Sequence, residues 1–201
     1  MEKDEEPQRR SIGARRNPET EKAILQAAHE VLQEAGYAGF SIEAVARRAR
    51  AGKPTIYRWW PSKGVLLLAV YHLHKRAFTH HDTGDLEKDL LLFLSALFNY
   101  WHRTPYADFF RSILAEAQAD EATSDAVADY ARERCAQIAE VFERARRRGD
   151  LVPDAEPLVA AELVLSFAWT RLIQNRLEIS DEELRSVVRS LVRGVLKSGA
   201  G

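Results

Sequence analysis

Between Ser41 and Lys63 the chain places six basic residues, Arg47, Arg48, Arg50, Lys53, Arg58 and Lys63, against one acid, Glu43. The aromatic residues Tyr57, Trp59 and Trp60 interleave with them. A segment this short cannot own a core, and its chemistry is that of a polyanion reader. Arg and Lys match the acceptor edge of guanine and a Thr methyl matches that of thymine, so Lys53, Thr55 and Arg58 are the candidates for base edges. Lys63 stands at a helix start beside unpaired backbone N–H groups, a position suited to holding phosphate. Ser41 can cap its helix and touch phosphate at once. Trp59 either packs on sugar-phosphate or supports its own helix. Arg47, Arg48 and Arg50 read as a solvated helix face in isolation and as phosphate-facing cations beside this motif.

Two short helices and a tight turn must position these groups. Ser41 opens the first helix, and Ile42, Val45, Ala46 and Ala49 recur at i, i+3, i+4 and i+7 to give one apolar face. The turn is Arg50-Ala51-Gly52, where glycine supplies backbone freedom. Pro54 suits the first turn of a second helix, which spans about Pro54 to Trp59 with Ile56 and Trp60 as inward anchors. Pro61-Ser62-Lys63 ends it, and Ser62 caps the next. This is the layout of a helix-turn-helix that lays one helix in the DNA major groove.

The run Thr55-Ile56-Tyr57-Arg58-Trp59-Trp60-Pro61-Ser62-Lys63 resembles the recognition-helix signature of the TetR/AcrR family of bacterial transcriptional repressors. Ser41-Ile42-Glu43-Ala44-Val45-Ala46 is similar to the helix that precedes it in that family. The residue-level resemblance covers about Glu21 to Val70. It implies a phosphate contact for Tyr57, a small-molecule inducer bound among helices four to eight, and no enzymatic activity. Two positions depart from the pattern: Arg50 stands where a turn glycine is usual, and Gly52 where a Ser or Thr cap is usual.

The 201 residues suffice for such a module plus a larger helical body. A net charge of −1 hides an asymmetry, since residues 1–63 carry 12 basic and 9 acidic side chains while residues 64–201 carry 17 and 21. A basic head on an acidic body points the head at phosphates. Periodicity predicts an all-α chain of about nine helices. The expected organisation is a mobile arm over residues 1–16, a DNA-binding domain over 17–62, and a ligand-binding and dimerisation domain over 63–201. Helix four is expected to reach His80, helix seven to start at Thr123, helix eight to reach Leu177 and helix nine to fade near Ser198. The lone Cys135 rules out an internal disulfide framework and reads as a packing residue in a reducing cytoplasm. No apolar run reaches membrane-spanning length, and no signal peptide precedes the charged N-terminus.

Helix nine repeats Leu184, Val187, Val188, Leu191, Val192 and Val195 at helical spacing, and helix eight is apolar on several sides. Two readings follow: packing on their own core, or an intermolecular four-helix seam of a homodimer. The second takes Leu184, Val188, Leu191 and Val195 as interface residues. Aromatic residues in the middle of the chain read mainly as core. Tyr71, Trp101, His102, Phe110, Trp169 and Asn175 are the candidates for lining an effector pocket, with a small hydrophobic molecule as the expected occupant. His72, His74, His80 and His81 with Asp82 and Asp85 raise a metal site, but His72 and His74 face different sides of one helix and His74 and His81 lie two turns apart. No metal, cofactor or catalytic set is therefore expected, and no phosphate loop, nucleophile elbow or paired cysteine motif occurs. Two function classes remain: a dimeric, ligand-responsive repressor on an operator, or an all-helical binding protein or enzyme whose helix-turn-helix is only a packing device.

Overall fold

The computed structural model describes residues 17–74 and 81–195. Among these residues there are nine helices and no extended strand: α1 (Pro18–Gly39), α2 (Ile42–Ala49), α3 (Lys53–Trp59), α4 (Lys63–His74), α5 (Leu86–Arg103), α6 (Tyr106–Glu116), α7 (Glu121–Arg148), α8 (Pro157–Ile173) and α9 (Asp181–Arg193). The arm over 1–16, the continuation of helix four to His80 and the fading of helix nine at Ser198 lie outside the described residues.

Caps and breakers set most of the boundaries. Asn17 accepts the Glu19 N–H ahead of Pro18 to open α1. Ser41 accepts from Ala44, Ser62 from Val65, Asp85 from Lys88 and Ser180 from Glu183, so four further helices start on side-chain oxygens. Helix α1 bends where Gly36 takes a φ of 63° and then runs one more turn to Gly39.

Two predicted boundaries are corrected. Helix α7 starts before Thr123, because Asp120 accepts the Thr123 N–H and so becomes the N-cap. Helix α8 ends at Ile173 rather than Leu177, because Asn175 turns left-handed at φ 54°. The buried Arg171 guanidinium then gathers the carbonyls of Arg176 and Glu178 and the Glu183 carboxylate, which folds the chain back toward α9. Asn tolerates that conformation because its short amide bonds locally.

Helices α1–α3 pack into a small head whose core is Ile24, Ala28, Val31, Val45 and Ile56. Helix α4 joins the head to a body of α5–α9, packing on α1, α6 and α7. The longest helix, α7, lies along α8, and α9 lies on α5. Of the residues expected at a dimer seam, Leu184 and Val188 are buried within the subunit, while Leu191 and Val195 are half-buried. The outer face of α8 is apolar and uncovered, with Leu158, Val159, Leu163 and Ile173 all more than half exposed.

Candidate nucleic-acid interface

Helix α3 owes its orientation to Ile56, Trp59 and Trp60, spaced i, i+3 and i+4 and all buried. Their burial turns Tyr57 (46% exposed) and Arg58 outward, with Lys53 also exposed and Thr55 half-buried. Trp59 has two readings from sequence, a DNA contact or a support for its own helix, and its burial favours the second. Only 8% of it is exposed, and it stacks edge-on against Trp60 at 5.8 Å, so it supports the helix. Its ring still serves the surface, because the Arg58 guanidinium lies 5.8 Å from the ring centroid.

The turn explains its own departures from the family pattern. Arg50 is the C-cap of α2 and adopts φ 51°, ψ 37°, the left-handed region. A glycine would take that conformation without strain, whereas Arg50 pays for presenting a cation there. Gly52 caps α3 at φ −71° with no side-chain bond, which is the loss incurred where Ser or Thr is usual.

The basic residues divide by partner. Arg48 binds Glu34 at 2.7 Å and reaches Glu30 at 3.9 Å, tying α2 to α1. Lys53 binds Glu43 at 3.0 Å, and this hydrogen bond leads the causes that lower the Glu43 carboxyl. Among the described residues Arg47, Arg50 and Arg58 form no ion pair. Ser41 spends its hydroxyl on the Ala44 N–H at 3.2 Å. The Lys63 ammonium sits 3.9 Å above the Tyr37 ring and donates to the Tyr37 carbonyl at 3.3 Å, so it staples α4 to α1.

A second set of residues, which the sequence reading missed, locks the start of α4 to the body. Glu116 at the end of α6 accepts from the Gly64 N–H at 3.0 Å and from the Tyr37 hydroxyl. Burial first, then that bond, pushes the Tyr37 phenol well above its ordinary range. Ser62 and the fully buried Thr123 share a hydrogen bond at 2.7 Å, and Thr123 donates on to Asp120 at 2.5 Å. This bond is the leading reason the Asp120 carboxyl is held below its ordinary value. A Cβ on Gly64 would lie 2.4 Å from Thr123 Oγ1, so only glycine allows α4 and α7 to approach this closely. A glycine one residue after Lys63 was the available sequence signal; nothing marked its partners.

The predicted pocket residues do not converge. Tyr71, Trp101 and Phe110 are packed solid: Trp101 Nε1 donates to the Tyr71 hydroxyl at 3.0 Å, and Tyr71 stacks on Phe110 at 4.5 Å. One edge of Trp101 nonetheless reaches a cleft of about 660 Å³ that His102 and Asn175 also line, together with Asp108, Arg171 and Glu183. Trp169 meets Phe110 edge-on at 5.4 Å and lines a different, apolar cleft of about 570 Å³ between α7 and α8 with Cys135 and Leu165. The histidines also separate. His72 faces Glu133 at 3.8 Å, while His74 stacks on His29 of α1 at 3.8 Å. Groups of three or more metal-ligating side chains are absent among the described residues.

This head, with a short helix presenting Tyr57 and Arg58 outward behind a capped turn, has clear relatives. Residues 24–70 match the profile of bacterial regulatory proteins, tetR family, and residues 80–191 match the tetracyclin repressor-like C-terminal domain. The chain belongs to the TetR family of bacterial transcriptional regulators. A crystal structure of the TetR family transcription regulator SCO0332 superposes with a TM-score of 0.75 at 31% identity, covering 89% of this chain and all of that one. The uncharacterized HTH-type transcriptional regulator YdeS of Bacillus subtilis is 24% identical over 190 residues, 94% of this chain and 96% of its own. The DNA-binding transcriptional repressor TetR of Mycobacteroides abscessus is 36% identical over 110 residues, 52% of this chain and 56% of its own. This TetR-family chain is therefore a helix-turn-helix transcriptional regulator, of a family whose members are typically ligand-responsive repressors, and the reading of its helix-turn-helix as a mere packing device is not favoured. No helix among the described residues is long and apolar enough to cross a membrane.

Proposed function

We propose that this regulator is a homodimeric repressor that holds a pseudo-palindromic operator and releases it when a small molecule enters the body. Residues 17–62 act as the DNA-binding domain and residues 63–201 as the ligand-binding and dimerisation domain. Ser41, Arg50, Lys53, Tyr57 and Lys63 hold the backbone, while Thr55 and Arg58 read base edges. The observation that carries this reading is the outward face of α3, fixed from behind by Ile56, Trp59 and Trp60.

The outer face of α8 supplies the dimer seam, with Leu158, Val159, Leu163 and Ile173 buried against a second copy. The effector enters the cleft beside Trp101, His102 and Asn175. Two physical routes lead from it to the head. Trp101 holds Tyr71 on α4, and α4 begins at Lys63. Asp108 of the cleft lies on α6, whose far end carries the Glu116 bond to Gly64. The cleft walls include Arg171, Asp108 and Glu183, so the favoured effector presents polar groups, in place of the purely hydrophobic molecule expected from the aromatic residues.

Selection of bound duplexes from a random pool tests the reading. It should return two inverted half-sites about one helical turn apart, with affinity falling steeply as salt rises. Enrichment of a single unsymmetrical site, or of none, would contradict it.

A further inference from the structure

A separate groove of about 440 Å³ runs across the joint between head and body, on another face from the effector cleft. Leu25 of α1 and the two indoles Trp59 and Trp60 form its head side. Leu68 of α4 with Ala126 and Tyr130 of α7 form its body side. We propose that this groove is a second effector site, for a small aromatic molecule that carries one positive charge.

Shape and charge both support that class. The walls are aromatic and aliphatic, which suits a flat apolar ring, and two of them already accept cations: the Arg58 guanidinium lies 5.8 Å from the Trp59 ring and that of Arg134 5.3 Å from the Tyr130 ring. Asp129 and Glu133 stand one turn apart on α7 at the rim. The other titratable groups lining the groove among the described residues are His72 on α4, 3.8 Å from Glu133, and the buried phenol of Tyr130 on α7. On α7 itself Arg132 pairs with Asp129, and Arg134 pairs with Glu133 at 2.7 Å. Ion pairs at a solvated surface are weak, so a ligand cation can join or replace them. An anion at the same rim would meet two carboxylates.

The position gives such a ligand leverage. Trp59 walls the groove and also backs the Arg58 guanidinium on the DNA face. An occupant touches head and body together, so its affinity depends on how the two are set. Whatever setting it prefers, operator affinity shifts by the same factor.

Three probes with the same ring test this on the full chain: 1-naphthylmethylammonium, 1-naphthylmethanol and the 1-naphthaleneacetate anion. Calorimetry should rank them cation, alcohol, anion, with the cation up to about fivefold tighter than the alcohol, the most a surface ion pair supplies. Glu133→Gln should remove most of that preference. Ala126→Trp, which fills the groove, should abolish binding and leave operator affinity insensitive to the cation. Because Ala126→Trp can disturb folding, the parent protein supplies an independent readout from its four tryptophan indole N–H resonances. The signals of Trp59 and Trp60 should shift on titration while those of Trp101 and Trp169 stay. Shifts confined to Trp101 or Trp169, no saturable binding, or a cation no tighter than the alcohol would overturn the proposal.

Discussion

Replacing Gly64 with Ala isolates the contact that sets α4 against α7. The new Cβ would lie 2.4 Å from Thr123 Oγ1, 2.5 Å from its Cγ2 and 3.0 Å from its Cβ. Ordinary contact begins near 3.4 Å, so the helices must part by about 1 Å or Thr123 must leave its rotamer. Overpacking of this kind costs about 1–3 kcal/mol. Ala in a helix recovers about 0.5–1 kcal/mol over Gly, which leaves a net loss of about 0.5–2 kcal/mol. Thr123→Ala removes the two closest atoms and keeps only the 3.0 Å contact. In that background Gly64→Ala should be close to neutral, a coupling of about 0.5–2 kcal/mol between the two sites. Thr123→Ala alone should cost about 0.5–1.5 kcal/mol for its hydrogen bond to Ser62. Urea unfolding of the four proteins measures the cycle, and anisotropy on the selected operator shows whether the displaced α4 also weakens DNA binding. Losses that add within about 0.5 kcal/mol would refute the argument that Thr123 is what requires glycine at 64.

Other outcomes follow from the same geometry. Arg50→Gly should raise stability by about 0.5–1 kcal/mol, because the left-handed C-cap no longer strains a side chain, and should weaken operator binding at the same time; urea unfolding and a gel shift read the two effects. Gly52→Ser should stabilise α3 by a few tenths of a kcal/mol, since its φ of −71° accepts a side chain and no contact is closer than 3.6 Å. Burial holds His29 and His74 below the ordinary imidazole pKa of 6.5, and the charge of His29 adds to the effect on His74. With the folded pKa lowered, their neutral stacking contributes fully above about pH 6.5 and is lost as pH falls from there through the folded values, so the Tm should drop between about pH 7 and 5, and less so in His74→Phe. Leu163→Glu, at a site 54% exposed in the subunit, should convert dimers to monomers in sedimentation, raising the dimer Kd at least about a hundredfold because both copies carry the charge; an unchanged dimer would move the seam elsewhere.

The local parts of this molecule were written in local signals. Ser41 and Ser62 announced helix starts, and the spacing of Ile56 and Trp60 announced which side of α3 faces inward. One miss, the Asp120 cap of α7, was local; most of the others came from contacts farther apart in the chain. Leu184 and Val188 form a periodic stripe, and a stripe does not say whether α5 or a second copy covers it. Trp59 sits beside Tyr57 and Arg58 in sequence, but in a helix neighbours point in different directions, and its ring packs edge-on against Trp60. The end of α8 depended on Arg171 reaching carbonyls five and seven residues ahead. The Tyr37–Glu116–Gly64 clamp joins residues up to 79 positions apart, which no periodicity or cap can foretell. Of the six expected pocket residues, Tyr71 and Phe110 became core, because large aromatic side chains satisfy packing first.

The central claim is that α3 reads base pairs through Arg58 while Lys63 holds the duplex without reading it. Affinities of the parent, Arg58→Ala and Lys63→Ala for the selected operator and for every single-base variant of one half-site test it directly. Arg58→Ala should lose about 1–3 kcal/mol on the parent site and become indifferent at one base pair, keeping its preferences elsewhere. Lys63→Ala should weaken all sites by a similar factor. An Arg58→Ala protein whose base preferences match those of the parent at every position would contradict the account.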